Sequence, residues 1–184
     1  MTTPPTNDTL LAAAQRDGQM ATAGGETVFS LPDGCSLRDL PCHPDSRGIV
    51  CELFDPRWPT LTQPFEFCYY WTIKPQSAKG WAMHKEHEDR YCLIFGEMLA
   101  VMYDGRPGSP TFGRTFEIYL SEQRRRMLTI ARGVWHADFN SGETDAVIVN
   151  FPTIKYDHAN PDKYRLPLHT DLIPYPTPTN LKGY

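Results

Sequence analysis

The chain has 184 residues, enough for one domain with a substantial core and too few for two ordinary domains. A formal net charge of −4 and a pI near 5.8 argue against nucleic acid as the main partner, because binding to phosphates calls for a basic surface. No stretch approaches the roughly 20 apolar residues of a membrane helix, and the N-terminus lacks the pattern of a secretory signal. A cytoplasmic protein is expected.

The N-terminal residues 1–26 are rich in Thr, Ala and Gly and contain little that could pack. We predict a flexible arm here. Within it, residues 9–16 could form a short helix capped by Asp8 or Thr9 and closed by Gly18.

The segment 27–175 is predicted to be one all-β domain, followed by a Pro-rich tail over 176–184 that runs extended over the surface or a partner. Short apolar and aromatic runs alternate with turn signals such as Gly96-Glu97 and Asp104-Gly105. Short strands without intervening helices indicate a sandwich or a barrel. The runs of strand length are residues 65–71, 91–95, 98–103 and 146–151.

The cysteines are five in number and scattered, with no CxxC pair. This pattern predicts reduced thiols, packed as small buried side chains, in a cytosolic protein. The residues concerned are Cys35, Cys42, Cys51, Cys68 and Cys92.

The segment Lys79–Asp89 contains the first candidate catalytic residue. Alternate residues of a strand point to one face, so Gly80, Ala82 and His84 share one side. If that side faces the barrel interior, the two small residues leave room for a ligand beside the His84 imidazole. A histidine there can act as a general base near neutral pH; the alternative is a surface histidine in a charged turn.

The segment Ala131–Asn140 resembles the second cupin motif, PxGxxHxxxN, with Ala131 in place of the proline. The segment around His84 is a rough version of the first cupin motif. A metal-dependent cupin is therefore one alternative, with ligands from His84, His136 and either Glu86 or Asp89.

The segment Asp104–Arg114 resembles the D-x-R-x-x-SPTFG-[KR] signature of dTDP-4-dehydrorhamnose 3,5-epimerases. Upstream, Asp45–Phe54 resembles the family's D-x-RG-x-x-x-E-x-[FW] strand, and Leu120-Ser121 and the His136 segment follow at its spacing. A lone SPTFG could be only a turn. The ordered series, over residues 40–175, identifies the chain as a divergent member of this RmlC-like cupin family.

This resemblance implies a cupin jelly-roll barrel with short peripheral helices, in a homodimer whose N-terminal strand is swapped into the neighbouring site. It implies no metal and no cofactor, and a nucleoside-diphosphate keto-deoxysugar as substrate, with dTDP the expected nucleotide. The family's histidine base falls on His84 and its supporting aspartate on Asp171. Lys79 replaces an arginine that binds the diphosphate. Other substrate-binding positions fall on Arg47, Glu52 and His136.

The chain departs from the family at the catalytic tyrosine. Alignment places Asn150 there, and an amide does not deliver a proton as a phenol does; Tyr156 could substitute. Asp89 takes the place of the family's lysine, and Tyr69 or Tyr70 could contact base or sugar. One-carbon epimerisation, keto-sugar isomerisation and a catalytically inactive nucleotide-sugar-binding cupin therefore stay open as alternatives.

Overall fold

The computed structural model describes residues 4–16, 18–19, 21–25, 27–59, 61 and 63–183. These residues form two compact units, Met1–Ser30 and Leu31–Tyr184. Positions 1–3, 17, 20 and 26 of the predicted arm, and position 184 of the predicted tail, lie outside the described residues.

Among its described residues, the first unit contains one short helix, α1 (Asn7–Ala13), and none of the helix residues is buried. The Thr6 hydroxyl accepts a hydrogen bond from the backbone N–H of Thr9 and caps the helix. The prediction of a cap at Asp8 or Thr9 was therefore wrong, and the helix ends well before Gly18. Sequence patterns locate a helix more reliably than its terminal residues.

The second unit is built from two five-stranded sheets and a hairpin, and every pairing between its strands is antiparallel. The strands are β1 (Ser36–Asp39), β2 (Cys42–Asp45), β3 (Gly48–Cys51), β4 (Tyr69–Ile73), β5 (Ser77–Met83), β6 (Asp89–Phe95), β7 (Glu97–Asp104), β8 (Thr115–Ser121), β9 (Arg126–Ile130), β10 (Val134–Asn140), β11 (Ala146–Asn150) and β12 (Tyr164–Arg165). The first sheet has the order β1-β9-β6-β11-β4 and the second β12-β5-β10-β7-β8, while β2 and β3 form the hairpin. This is the predicted all-β jelly-roll architecture.

The main core lies between the two sheets and draws side chains from both. In β8, Phe116, Ile118 and Leu120 are buried while the residues between them are partly or fully exposed, as expected for a strand with one apolar face. Each such side chain contributes about 1.5–3 kcal/mol when it is fully buried. One predicted strand was too long, since residues 65–68 precede β4 and lie outside any strand.

The outer face of the second sheet is covered by the C-terminal segment of the same chain. Trp81 and Phe139 pack there against Leu168, Ile173 and Leu181, and the Trp81 indole donates a hydrogen bond to the Leu168 carbonyl at 3.2 Å. Because Trp81 and Phe139 point outward, their strand neighbours point into the barrel.

The strands β5 and β10 approach each other closely at Gly80. A Cβ on this residue would lie 2.5 Å from Cα of Ala137, and its φ of +147° also favours glycine. Glycine at this position therefore permits the contact that brings two site-bearing strands together.

The hairpin β2–β3 carries a disulfide between Cys42 and Cys51, which face each other in the strand register. The prediction that all five cysteines are reduced thiols was wrong for this pair, because strand pairing rather than sequence spacing brings the two sulfurs together. Cys35, Cys68 and Cys92 are free thiols. Within the described part of the chain, no helix has the length and apolarity to cross a membrane.

Candidate active site

Two neighbouring cavities contain the candidate functional residues. The His84 cavity, of about 80 Å³, is lined among others by His84, His87, Tyr156 and Asp162. The His136 cavity, of about 130 Å³, is lined among others by Lys79, Ala82, Asp89, Tyr91, His136 and Asp138. Tyr69 and Lys163 line both cavities, so the cavities lie on either side of these two side chains.

A buried carboxylate, Asp89, is the centre of the polar network between the cavities. Its side chain is 2 % exposed. The Asn150 amide donates to its Oδ1 at 2.6 Å, and His84 Nε2 lies 3.2 Å from its Oδ2. The Tyr91 hydroxyl is 3.3 Å from Oδ2. The Nε2 atoms of His87 and His136 each lie 3.7 Å from an oxygen of the same carboxylate. These six residues are called the Asp89 cluster below: His84, His87, Asp89, Tyr91, His136 and Asn150.

The Asp89 cluster keeps its carboxylate ionised. Burial would raise the pKa of Asp89, but the hydrogen bond and positive charge of His84 outweigh it and hold the pKa below its usual range. The network therefore contains a fixed negative charge inside the barrel, and the surrounding imidazoles are oriented towards it.

The strand pairing fixes the position of Asn150, which was predicted to stand at the family's tyrosine. Asn150 in β11 lies opposite Tyr91 in β6 and is fully buried. Its oxygen accepts from the backbone N–H of Arg90 at 2.8 Å, and its amide also donates to the Tyr69 hydroxyl at 2.9 Å. Asn150 thus belongs to the Asp89 cluster and is not among the residues that line either cavity.

The His84 ring is held on both sides. Its Nδ1 contacts the backbone carbonyl of Asp162, and its Nε2 faces Asp89. Burial opposes the protonation of His84, but the hydrogen bond and charge of Asp89 outweigh it, so its pKa is raised. A proton on Nε2 is therefore directed at Asp89.

The turn after His84 is fixed by one side chain from a distant segment. The Asp162 carboxylate accepts from the backbone N–H groups of Lys85 and Glu86 at 2.9 and 2.8 Å, and it lies 2.9 Å from His87 Nδ1. Sequence reasoning missed Asp162, because nothing local in the chain indicates that residue 162 returns to this turn.

The His136 ring has a different environment. Its Nε2 lies 3.2 Å from the Tyr91 hydroxyl, and its Nδ1 lies 3.4 Å from the Val134 carbonyl. Burial lowers the pKa of His136 to about 4, so this imidazole is neutral at physiological pH.

A second buried carboxyl group, Asp138, lies two residues further along β10 and also lines the His136 cavity. Burial, followed by repulsion from Asp89, raises its pKa well above the usual range. Sequence reasoning missed Asp138. The signal was present, because Asp138 and His136 are two residues apart and so share one face of a strand.

Three cationic residues, Lys79, Lys163 and Arg165, line the His136 cavity. Burial and the nearby Arg165 lower the pKa of Lys163. This arrangement suits an anionic ligand with several oxygens, such as a diphosphate.

The structure brings together several of the predicted site residues. His84 and Tyr156 line the His84 cavity, Lys79 and His136 line the His136 cavity, and Asn150 supports the Asp89 cluster.

Other predicted residues lie elsewhere in this chain. Asp171 is exposed in the C-terminal segment, and the carboxylate beside His84 is Asp89 instead. Tyr70 is 71 % exposed, because alternation along β4 turns Tyr69 rather than Tyr70 towards the cavities. Arg47 and Glu52 are not among the described residues that line the two cavities. Both are exposed and lie in the region of the β2–β3 hairpin.

A metal ion could be held by part of the same network. One donor atom each of His84, His87 and Asp89 lies within 4.8 Å of the others. The Nδ1 atoms of both histidines face oxygens of Asp162, which orients the Nε2 atoms towards Asp89.

The signature segment Asp104–Arg114, by contrast, forms a closed turn between β7 and β8, which is called the signature turn below. The buried Asp104 carboxylate accepts from Arg106 Nε at 2.9 Å and from the Ser109 and Thr111 hydroxyls at 2.6 Å. No residue of the segment 104–114 lines either cavity.

The fold is an antiparallel jelly roll with polar residues around its interior cavities. Residues 31–167 match the family model described as dTDP-4-dehydrorhamnose 3,5-epimerase, and the chain belongs to this family. The prediction from the signature motifs is thereby confirmed.

Individual relatives agree with this assignment. The chain is 30% identical over 132 residues to the probable low-salt glycan biosynthesis epimerase Agl13 of Haloferax volcanii, covering 71% of this chain and 85% of the relative. It is also 30% identical over 141 residues to the spore coat polysaccharide biosynthesis protein SpsL of Bacillus subtilis, covering 77% and 93%. A crystal structure of a dTDP sugar isomerase from Desulfovibrio desulfuricans superimposes with a TM-score of 0.73 at 28% identity, covering 78% of this chain and 90% of that one.

Proposed function

We propose that the protein is a sugar-nucleotide epimerase of glycan or polysaccharide biosynthesis, acting on a nucleoside-diphosphate 4-keto-6-deoxysugar, with dTDP as the nucleotide. The observation that carries the proposal is the Asp89 cluster, which places a histidine–carboxylate pair beside a cavity lined by three cations. The family and the names of its relatives support the same class of substrate.

The chemistry requires removal of a proton next to a ketone. A 4-keto group acidifies the neighbouring C–H bonds, and a base with a matched pKa removes one of these protons. We assign this role to His84, with Asp89 stabilising the imidazolium that forms. Asp89 takes the supporting role that the family motif assigned to Asp171.

The cationic side chains give the substrate its orientation. We assign the diphosphate to Lys79, Lys163 and Arg165, which lie in the His136 cavity. We assign contacts with the sugar to Tyr69, which lines both cavities, and to Tyr156, which lines the His84 cavity.

We also propose a cytoplasmic homodimer. The β2–β3 hairpin exposes Ile49 and Val50, and its Arg47 is close to fully solvated. Pairing of this hairpin with a partner would cover the apolar residues and could carry Arg47 and Glu52 to the partner's site.

The test is proton NMR in deuterium oxide with dTDP-4-keto-6-deoxyglucose. We expect the wild type to exchange the C3 or C5 proton for deuterium, and His84→Ala to lower the exchange rate about 10²–10⁴-fold. His169→Ala is the matched control, because His169 is an exposed histidine in the C-terminal segment.

The outcomes separate the candidate functions. Wild-type exchange that survives in His84→Ala would contradict the assigned base. Binding of the nucleotide sugar without exchange by the wild type would favour the catalytically inactive binding protein.

A second candidate is a metal-dependent cupin, favoured by the convergence of His84, His87 and Asp89 donors. Metal analysis of the purified protein tests it, with His87→Ala as the diagnostic variant. A stoichiometric divalent ion that is lost in His87→Ala, together with exchange that requires this ion, would favour the metal-dependent enzyme.

A further inference from the structure

The segment 162–165 contacts both halves of the candidate site. Asp162 holds the turn that follows His84, and Lys163 lines both cavities. Arg165 lines the His136 cavity, to which we assign the diphosphate. Four consecutive residues therefore connect the region that carries the base with the cations that face the anionic end of the substrate.

Asp162 fixes two imidazoles at their Nδ1 atoms. Its side chain is 9 % exposed, and its carboxylate lies 2.9 Å from His87 Nδ1. Its backbone carbonyl contacts His84 Nδ1. Each ring is thereby turned with its Nε2 towards Asp89, at 3.2 Å for His84 and 3.7 Å for His87. A displacement of Asp162 would change the orientation of both rings.

The same carboxylate fixes the backbone between the two histidines. It accepts hydrogen bonds from the N–H groups of Lys85 and Glu86 at 2.9 and 2.8 Å. A side chain of a distant segment therefore closes this turn, and the geometry of the turn depends on where that segment lies.

The segment that carries Asp162 has little support of its own. β12 is a strand of two residues at the edge of the second sheet, where it pairs with β5. The residues before the segment, 155–161, are exposed. Short elements with few buried contacts are the first to open locally. The position of Asp162 is therefore sensitive to a ligand that binds the residues next to it.

The neighbouring cations provide the contact with such a ligand. Lys79, Lys163 and Arg165 line one cavity of about 130 Å³. Their like charges repel each other, and an anion bound among them removes this repulsion. A diphosphate offers oxygens to all three, so it favours the arrangement in which Lys163 and Arg165 lie against the cavity. In that arrangement Asp162 holds the two histidines.

We propose that Asp162 is a positioning residue that makes proton removal depend on the diphosphate of the substrate. This inference rests on the proposed function. Binding of the diphosphate to Lys163 and Arg165 fixes the segment, and Asp162 then holds the His84 and His87 rings in the orientation described above. The site therefore selects nucleotide-linked sugars in turnover as well as in binding, because the binding energy of a remote group assembles the base.

The test divides the substrate into two pieces. Deuterium exchange is followed in the 1-deoxy analogue of 4-keto-6-deoxyglucose, which lacks the nucleotide and leaves room for dTDP. Saturating dTDP should raise the wild-type exchange rate at least about 10-fold, because the separate diphosphate fixes the base. A nucleotide subsite that only binds would leave this rate unchanged.

Asp162→Ala is the diagnostic variant. It removes the side-chain contacts with the turn and with His87 but retains the cations. Calorimetry should therefore show dTDP binding within about threefold of the wild-type Kd, while the acceleration by dTDP falls below about twofold. Asp145→Ala is the matched control and should keep the full acceleration, since Asp145 is exposed and precedes β11. Thermal unfolding of each variant checks that it is folded.

Each outcome decides a different claim. Failure of bound dTDP to accelerate exchange into the truncated sugar would overturn the positioning role, and so would equal acceleration in the wild type and in Asp162→Ala. Wild-type protein that does not bind dTDP would overturn it as well. Absence of exchange with intact dTDP-4-keto-6-deoxyglucose would overturn the proposed function itself.

A measurement on the wild type keeps the inference testable if Asp162→Ala does not fold. The backbone amides of Lys85 and Glu86, which donate to Asp162, should exchange with solvent at least about threefold more slowly when dTDP is bound. The Arg106 amide, which donates to Asp104 in the signature turn, should be unaffected. Unchanged protection of Lys85 and Glu86 would overturn the positioning role.

Discussion

The signature turn and the Asp89 cluster are each built around a buried aspartate with a lowered pKa, yet they differ in where the partners come from. The partners of Asp104 lie within seven residues of it, at Arg106, Ser109 and Thr111. The partners of Asp89 include residues up to 61 positions away, such as Asn150. The first arrangement closes a loop, and the second joins distant strands around two cavities.

This difference separates the segment that identifies the family from the cluster to which we assign the chemistry. The SPTFG segment holds the connection between β7 and β8 and lines neither cavity. The Asp89 cluster includes the two positions at which motif matching predicts a departure from the family, Asp89 for a lysine and Asn150 for a tyrosine. A specific motif can therefore report the fold while the reaction depends on other residues.

The largest stability effect is expected inside the Asp89 cluster. Asn150→Leu keeps the approximate side-chain volume but leaves Asp89 Oδ1 and the Arg90 N–H without their partner. Two buried unsatisfied groups at about 1–3 kcal/mol each give a loss of about 4 kcal/mol. Urea unfolding measures it, and Asn180→Leu at an exposed position is the control. A loss below about 1 kcal/mol would contradict a structural role for Asn150.

A smaller loss is expected in the signature turn. Asp104→Asn removes the charge that holds Arg106, and breaking a buried pair of this kind costs about 3 kcal/mol. Because the turn lines neither cavity, the exchange rate per folded molecule should stay within about twofold of the wild type. Urea unfolding measures the loss of stability, and deuterium exchange measures the rate. A large fall in the exchange rate would contradict the proposed difference in role between the signature turn and the Asp89 cluster.

The unfolding free energy that is lost in Asp104→Asn should also depend on pH. Hydrogen bonds from Arg106, Ser109 and Thr111 outweigh burial and hold the Asp104 pKa below its ordinary value of 3.8. Its contribution is therefore fully present above about pH 4 and is lost as the pH falls through the lowered pKa of the folded state. The difference in unfolding free energy between wild type and Asp104→Asn should narrow towards acid; a difference that widens would contradict the assignment.

The smallest effect on stability is expected at a solvated copy of the same D-x-R pattern. Arg47 pairs with Asp45 as Arg106 pairs with Asp104, but the Arg47 side chain is 87% exposed. Arg47→Ala should leave the Tm unchanged, because fully solvated pairs contribute little. It should raise KM for the nucleotide sugar if the hairpin reaches a partner's site. An unchanged KM would contradict that part of the dimer proposal.

Much of the fold was predictable because it depends on local pattern. The apolar runs at 91–95, 98–103 and 146–151 correspond to β6, β7 and β11, and the turn signals between them fall where strands end. The disulfide was missed because the register of β2 against β3, which pairs Cys42 with Cys51, is not visible in the spacing of cysteines.

The candidate site was predictable only in part, for the same reason. His84 and His136 belong to motifs, and strand alternation aims them inward. The return of Asp162 to the turn after His84 depends on the path of the C-terminal segment. The carboxylate partner of His84 was assigned to Asp171 by motif matching, whereas the structure places Asp89, the first residue of β6, beside His84.

The central claim is that the proton chemistry belongs to the Asp89 cluster and not to the signature turn. The most direct measurement compares deuterium exchange into the keto-sugar by Asp89→Asn and Asp104→Asn, each rate corrected for the folded fraction. We predict that Asp89→Asn falls at least about 100-fold below Asp104→Asn, because His84 loses the carboxylate that stabilises its imidazolium. Equal rates in the two variants would contradict the account.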